Sequence, residues 1–264
     1  MGRKEHKKLV KGARKARGED SRHLLGKLAE KVGGEHRIME DPPWIIPARR
    51  LRDLIGLDPE EVRQSVRDVL SDYVTSLPDH IAFLLGQYDL GNVALKVVGV
   101  GSVGTRAYIA LLMGRTADDP LFLQVKEASP SVLEDHFGAT PYSHHGERVV
   151  QGQRLMQTVS DIFLGWTSGR ISHRDFYVRQ LKDMKASARI EDYDVGRMRT
   201  FANACAWTLA QSHARSGDPV AVAGYIGSGQ AFPEALAAFA VAYERQNAAD
   251  YEAFAARAGS GTSL

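Results

Sequence analysis

Cysteine is almost absent: Cys205 is the only one in 264 residues. A single thiol excludes a disulfide framework and a cysteine-based zinc site. Long hydrophobic runs are missing too. The longest strongly apolar stretches reach about ten residues, against the roughly 20 that a membrane-spanning helix needs. No apolar segment follows the basic opening from Met1 to Lys15, so there is no secretory pattern. A reducing cytoplasm is the expected location, with no membrane partner. What is present is ordinary for a globular chain: 44% hydrophobic and 25% charged residues, enough to bury a core.

The net charge of +2 is unevenly spread. Residues 1–37 hold 12 Lys/Arg and 5 Asp/Glu, which leaves a net −5 on the remainder. A basic arm of this kind suits an anionic partner. No aromatic residues alternate with its basic ones, as a stacking platform for single strands requires, so the arm reads as a solvated helix or frayed terminus and nucleic acid is not expected.

The segment from Met1 to Lys31 reads as helix, with Leu24, Leu25 and Leu28 at helical spacing. The prolines of Asp41 to Pro47 force an extended path. Asp58-Pro59-Glu60-Glu61 is a helix start with a capping residue, a first-turn proline and a glutamate three positions after the cap. Val62, Val66, Val69, Tyr73 and Leu77 then give that helix one buried face. A second short helix is expected from about Asp79 to Tyr88. Beyond it the texture turns to strand: Val93 to Val100, Arg106 to Met113, Leu121 to Lys126 and Arg174 to Leu181, with a helix at His145 to Val159 between the last two. From Asp194 the chain reads as helical, with Cys205 on an apolar face and so expected in the core, and a further helix beginning near Pro233. The tail from Gly259 is expected to be disordered.

Gly99-Val100-Gly101-Ser102-Val103-Gly104 is a G-x-G-x-x-G match. Two unrelated architectures use this pattern. In a dinucleotide-binding oxidoreductase it opens a helix whose N-terminus meets pyrophosphate. In a protein kinase it bends an antiparallel hairpin over ATP phosphates. The following Thr105 to Leu112 is β-branched and aromatic, and Asp118-Asp119-Pro120 turns the chain. That is a strand, which favours the hairpin. In Leu121 to Glu127, alternation places Leu121, Leu123 and Val125 on one face and Phe122, Gln124 and Lys126 on the other. A lysine on an apolar strand is costly to bury unless paired. Nucleotide phosphates and a helix glutamate are the partners a kinase-like fold offers. Lys126 follows Gly104 by 22 residues, room for a strand, a turn and a second strand. Glu147 shares a helical face with Gln151 and is the first candidate carboxylate, with Glu134 the second.

Several longer stretches carry a resemblance: Lys96 to Arg106, Leu121 to Ala128, Gln153 to Gln157, Ser160 to Trp166 and Phe176 to Lys185. Together they resemble the bacterial domain of unknown function 2252 family, grouped with the protein-kinase-like fold. The resemblance implies an α+β fold: a small antiparallel sheet with a glycine-rich hairpin, flanked by helical regions. It also implies a nucleotide site, with no substrate attached to it. Two departures accompany it. Complete relatives carry a Gly-Asp-x-His-x-x-Asn-Phe-Gly segment and an Asp-Phe-Asn-Asp-like segment, which look like catalytic-base and metal-binding elements. This chain contains neither, so it is expected to be the C-terminal part of a longer protein. Second, a glutamate of relatives matches Gln151 here, whose amide can hydrogen-bond a lysine but not ion-pair with it. Arg106 and Gln124 stand where kinases usually place small or apolar residues near adenine.

Two other constellations are weaker. His213-Ala214-Arg215-Ser216-Gly217-Asp218 echoes a kinase catalytic loop, but no asparagine or metal-binding aspartate follows at useful spacing, so His213 and Asp218 read as helix-end caps. His136, His144, His145 and Glu147 match no standard metal-ligand spacing.

The organisation expected is a basic arm and helical region over 1–90, a kinase small-lobe-like sheet with one helix over 91–186, and a helical region over 187–264. The first functional expectation is an ATP-binding module without its catalytic and metal segments, so that magnesium enters only if those segments are supplied. Gly99, Gly101, Ser102 and Gly104 would approach phosphates, Lys126 would neutralise their charge, Glu147 or Gln151 would hold the lysine, and Gln180 and Leu181 would form the connector beside adenine. The alternative is a non-catalytic scaffold or binding protein with a basic N-terminal arm.

Overall fold

Gly33 and Gly34 both have positive φ, +60° and +90°, the backbone that a two-residue hairpin turn demands. The residues before them are already in a strand. In the computed structural model, which describes residues 21–50, 58–97, 104–116, 118–169, 173–181 and 188–260, helix α1 covers Ser21–Leu28. Strands β1 (Ala29–Val32) and β2 (Glu35–Ile38) then pair across the glycine turn. The expectation of helix through Lys31 is corrected on this point.

The proline-rich segment that follows is extended only in its second half: residues 42–44 make a turn, with the Trp44 N–H donating to the Asp41 carbonyl at 2.7 Å, which corrects the expected extended path from Asp41. Ile45–Pro47 is β3, which pairs antiparallel with β4 (Asp89–Lys96) at the sheet edge, where a proline is tolerated. Residues 1–90 therefore contribute to the sheet as well as to helices. Helix α2 (Pro59–Val74) opens as its sequence requires: the Glu60 N–H donates to Asp58 Oδ1 at 2.8 Å, and the Asp58 N–H donates to Glu61 Oε2 at 3.2 Å. Helix α3 spans Asp79–Leu85.

The remaining strands are β5 (Ala107–Met113), β6 (Pro120–Ala128), β7 (Gly165–Gly169) and β8 (Arg174–Gln180). Between β6 and β7 lie a short turn of helix, α4 (Glu134–Phe137), and α5 (His145–Met156). The six-stranded sheet has the order β3-β4-β5-β6-β8-β7, with every neighbouring pair antiparallel. The last strand to form in the chain thus inserts between β6 and β7.

Both faces of this sheet are covered, which is why β5 and β6 read as near-continuous apolar runs. Leu121, Leu123 and Val125 pack with Tyr73, Leu77, Ile81 and Leu85 of the α2–α3 region. Phe122 packs on the opposite face with Leu24, Leu25, Ile38, Ile109 and Leu111. The alternation expected along β6 is the one observed. Each fully buried side chain here, such as Phe122 or Ile109, contributes about 1.5–3 kcal/mol of transfer free energy.

Helix α6 covers Val195–Ser216, α7 Pro219–Ile226 and α8 Ala231–Ser260. The chain divides into two units, Met1–Trp207 and Thr208–Leu264. In the second, Asp218 accepts from the N–H groups of Val220 and Ala221 at 2.9 and 3.1 Å and so caps the start of α7, not the end of the preceding helix as expected. Helix α8 continues through Gly259 and Ser260 instead of ending before them. Cys205 is exposed, not in the core, because no described residue of α6 is buried.

Candidate functional site

Strands β4 and β5 form a hairpin, and residues 97–106 connect them. Gly99, Gly101 and Ser102 lie outside the described residues. Gly104 has φ +85°, a left-handed value that favours glycine, and the chain then enters a strand at Ala107. A helix opening at Gly104 is what a dinucleotide-binding fold needs, and the strand there removes that reading.

Strand register shows what shares a face with Lys126. Directly opposite it are Ala107 on β5 and Tyr177 on β8, and Tyr177 in turn faces Trp166 on β7. One rung along, Gln124 lies between Ile109 and Arg179. Arg106 falls on the opposite side of the sheet from Lys126, so Ala107, not Arg106, is the β5 residue on the lysine's face.

Helix α5 is tied to this same face at both ends. At its start, the His145 N–H donates to Asp175 Oδ2 at 2.7 Å. The His144 ring caps the helix, its Nδ1 accepting from the Glu147 N–H at 3.1 Å. His144 Nε2 lies 3.0 Å from Ser168 Oγ and 3.3 Å from Asp175 Oδ1. In the last turns, Arg154 Nη2 donates to the Leu164 carbonyl at 2.6 Å, and its guanidinium carbon lies 5.9 Å from the Trp166 ring centroid. Gly146 makes the close approach possible: a Cβ there would sit 2.2 Å from the Phe176 carbonyl oxygen.

The Ser168, His144 and Asp175 cluster has the composition of a hydrolytic triad but not its wiring. A backbone N–H can only donate, so Nδ1 must be the acceptor and Nε2 carries the ring proton. A serine nucleophile needs an unprotonated nitrogen facing its hydroxyl. Here the hydroxyl faces the protonated one and itself donates to Asp175 at 3.3 Å. The cluster anchors a helix. Among the described residues, no three His, Cys, Asp or Glu side chains are grouped to hold a metal.

The carboxylates near Lys126 are mostly engaged elsewhere. Glu127 pairs with Arg174 and accepts from the Arg106 N–H at 3.0 Å. Glu134 lies 3.7 Å from Arg148. Glu147 and Gln151 stand on α5, and neither makes a hydrogen bond or ion pair with Lys126. The lysine is half-buried and has no such partner among the described residues. Arg179, diagonal to it on the next strand, is also half-buried and also unpaired among the described residues. The same alternation that marks Lys126 marks Arg179: with Val178 in the core of the opposite face, residue 179 must point to the lysine's side. Gln124, buried between them, makes no side-chain hydrogen bond among the described residues.

The connector residues sit differently from one another. The Gln180 N–H donates to Asp161 Oδ2 at 2.6 Å, while its side-chain amide lies 3.5 Å from Ser21 Oγ. The Leu181 N–H donates to the Phe122 carbonyl at 2.9 Å, and its side chain packs in the apolar cluster that α1 covers.

Residues 2–257 match the model of a family described as uncharacterized proteins conserved in bacteria, domain of unknown function 2252. The chain belongs to that family. No curated protein matches it, and no solved structure does. Among the described residues, no helix is long and apolar enough to cross a membrane.

Proposed function

We propose that the chain is a kinase-like ATP-binding module. The order of elements supports this: a glycine-rich hairpin, a lysine on the third strand of the β4–β6 meander, a helix packed on the lysine's face, then two more strands. The carrying observation is the pair of cations, Lys126 and Arg179. Residues at this diagonal are about 7–8 Å apart at the backbone, and like charges so placed repel. Two half-buried cations without counter-charge among the described residues fit a polyanion, and a nucleoside triphosphate is the polyanion a glycine hairpin suits. The α1 cluster around Leu181 fills one part of this face, so the phosphates would lie away from it, toward Lys126 and Arg179.

The chain lacks the acidic segments that the family resemblance assigns to the catalytic base and the metal. We therefore expect binding without turnover from this chain alone, with magnesium engaged only if those segments are supplied. Thermal unfolding with and without ATP tests the reading. Ligand at about 100 times its dissociation constant adds roughly 2.7 kcal/mol of stability. The wild-type midpoint should rise with millimolar ATP, and the rise should shrink in Lys126→Met and in Arg179→Gln. The scaffold reading draws on the second unit, where Tyr225, Phe239, Tyr243 and Phe254 are exposed. An unchanged midpoint at millimolar nucleotide favours it.

A further inference from the structure

At the opposite end of the β4–β5 hairpin from the glycine loop lies an open groove of about 650 Å³. Four separate segments each bring one arginine to it: Arg37 from β2, Arg49 from the turn after β3, Arg67 from α2 and Arg115 from the segment after β5. Among the described residues, Glu35 is the only carboxylate in the lining, which also holds His36. The lining's apolar part comes from Val66, Leu90, Val93 and Met113. We infer that this groove binds a small polyanion carrying two or more phosphoryl groups, at a site separate from Lys126.

The arginines are held but not neutralised. Arg67 Nη1 lies 3.5 Å from Glu60 and Arg37 Nη2 lies 3.9 Å from Glu35, both pairs exposed to water. Arg49 Nη2 lies 3.8 Å from Glu40, whose other oxygen accepts from Arg50 at 3.2 Å, so one carboxylate serves two guanidinium groups. Arg115 donates to the neutral Gln87 side chain at 2.9 Å. Each of these contacts engages one nitrogen of a five-donor fork, and exposed pairs of this kind are worth about 0–1 kcal/mol, so they orient the side chains and yield readily to a better anion. A guanidinium fork takes two phosphate oxygens at once, which a carboxylate at 3.5–3.9 Å does not exploit. The volume is that of a small-molecule site, and among the described residues no Phe, Tyr or Trp lines it.

Calorimetric titration of the full chain with inorganic tripolyphosphate tests this. Binding should persist unchanged in Lys126→Met and weaken at least tenfold in the double variant Arg67→Gln/Arg115→Gln. It should also weaken steeply with added salt. Hydrogen exchange on the wild-type chain gives a second measure that no variant can confound: tripolyphosphate should slow exchange at residues 90–93 and 113–116. The inference is overturned by no heat at millimolar ligand, affinity no greater than that of sulfate at equal ionic strength, insensitivity to the arginine changes, or protection confined to the glycine loop. Loss of binding in Lys126→Met would assign the anion to the nucleotide site instead.

Discussion

Replacing Gly146 by alanine should unseat α5. The added Cβ would lie 2.2 Å from the Phe176 carbonyl oxygen and 2.8 Å from the His144 ring. The carbonyl belongs to a sheet strand and cannot swing away, so the helix must retreat by about 1 Å to restore a normal contact. Overpacking of this kind costs about 1–3 kcal/mol. The retreat also stretches the His145 N–H bond to the Asp175 carboxylate, a charge-assisted bond worth about 1.5–3 kcal/mol. Alanine's better helix propensity returns at most about 1 kcal/mol. A net loss near 2 kcal/mol is expected in urea unfolding followed by tryptophan fluorescence. Gly152→Ala on the same helix is the control: nothing lies within 4 Å of its Cβ, so it should gain about 0.5–1 kcal/mol. Equal effects of the two substitutions would refute the seating of α5 on β8.

Further predictions concern the residues around this helix and the core beneath the sheet. His144→Ala should cost about 1 kcal/mol in urea unfolding through loss of the N-cap, and His144→Asn should restore most of it, because an asparagine oxygen can also accept the Glu147 N–H. The Tyr73 hydroxyl donates to the Phe163 carbonyl in the core, and burial first, then the Asp161 carboxylate, push its pKa far up. The folded state keeps that proton while the unfolded chain releases it near pH 10, so stability should be complete below pH 10 and fall above it, by up to about 1.4 kcal/mol per pH unit. Tyr73→Phe should lose about 1–3 kcal/mol at neutral pH from the unpaired carbonyl, and its alkaline slope should be shallower than the wild type's.

Much of the fold was legible because its signals are local. Asp58, Pro59 and Glu61 define a helix start by themselves, and the alternation from Leu121 to Lys126 assigns two faces without knowledge of either partner. The β1–β2 hairpin was missed although Gly33-Gly34 is a strong turn signal, because the leucines of α1 invited an extension of the helix past Leu28. Strand β7 was missed for another reason. Gly165-Trp166-Thr167-Ser168-Gly169 is short and glycine-bounded, and it becomes a strand only by pairing with β8, which arrives later in the chain. Cys205 was placed in the core because periodicity reports which residues share a face, not whether anything covers it.

The site divides in the same way. Lys126 could be singled out from its strand alone. Arg179 needed the register of β8 against β6, a pairing between residues more than 50 positions apart. The proposed role of Glu147 or Gln151 depends on side-chain reach across the α5–sheet packing, which helical spacing does not specify. The expected position of Arg106 failed by one residue, and in a strand one residue exchanges the two faces.

The central claim is the proposal that Lys126 is a cation available to a nucleotide. A lysine-directed reactive ATP analogue, followed by peptide mass spectrometry, tests it most directly. The account predicts stoichiometric modification of Lys126, prevented by excess ATP. Label spread over exposed lysines and unaffected by ATP would contradict it.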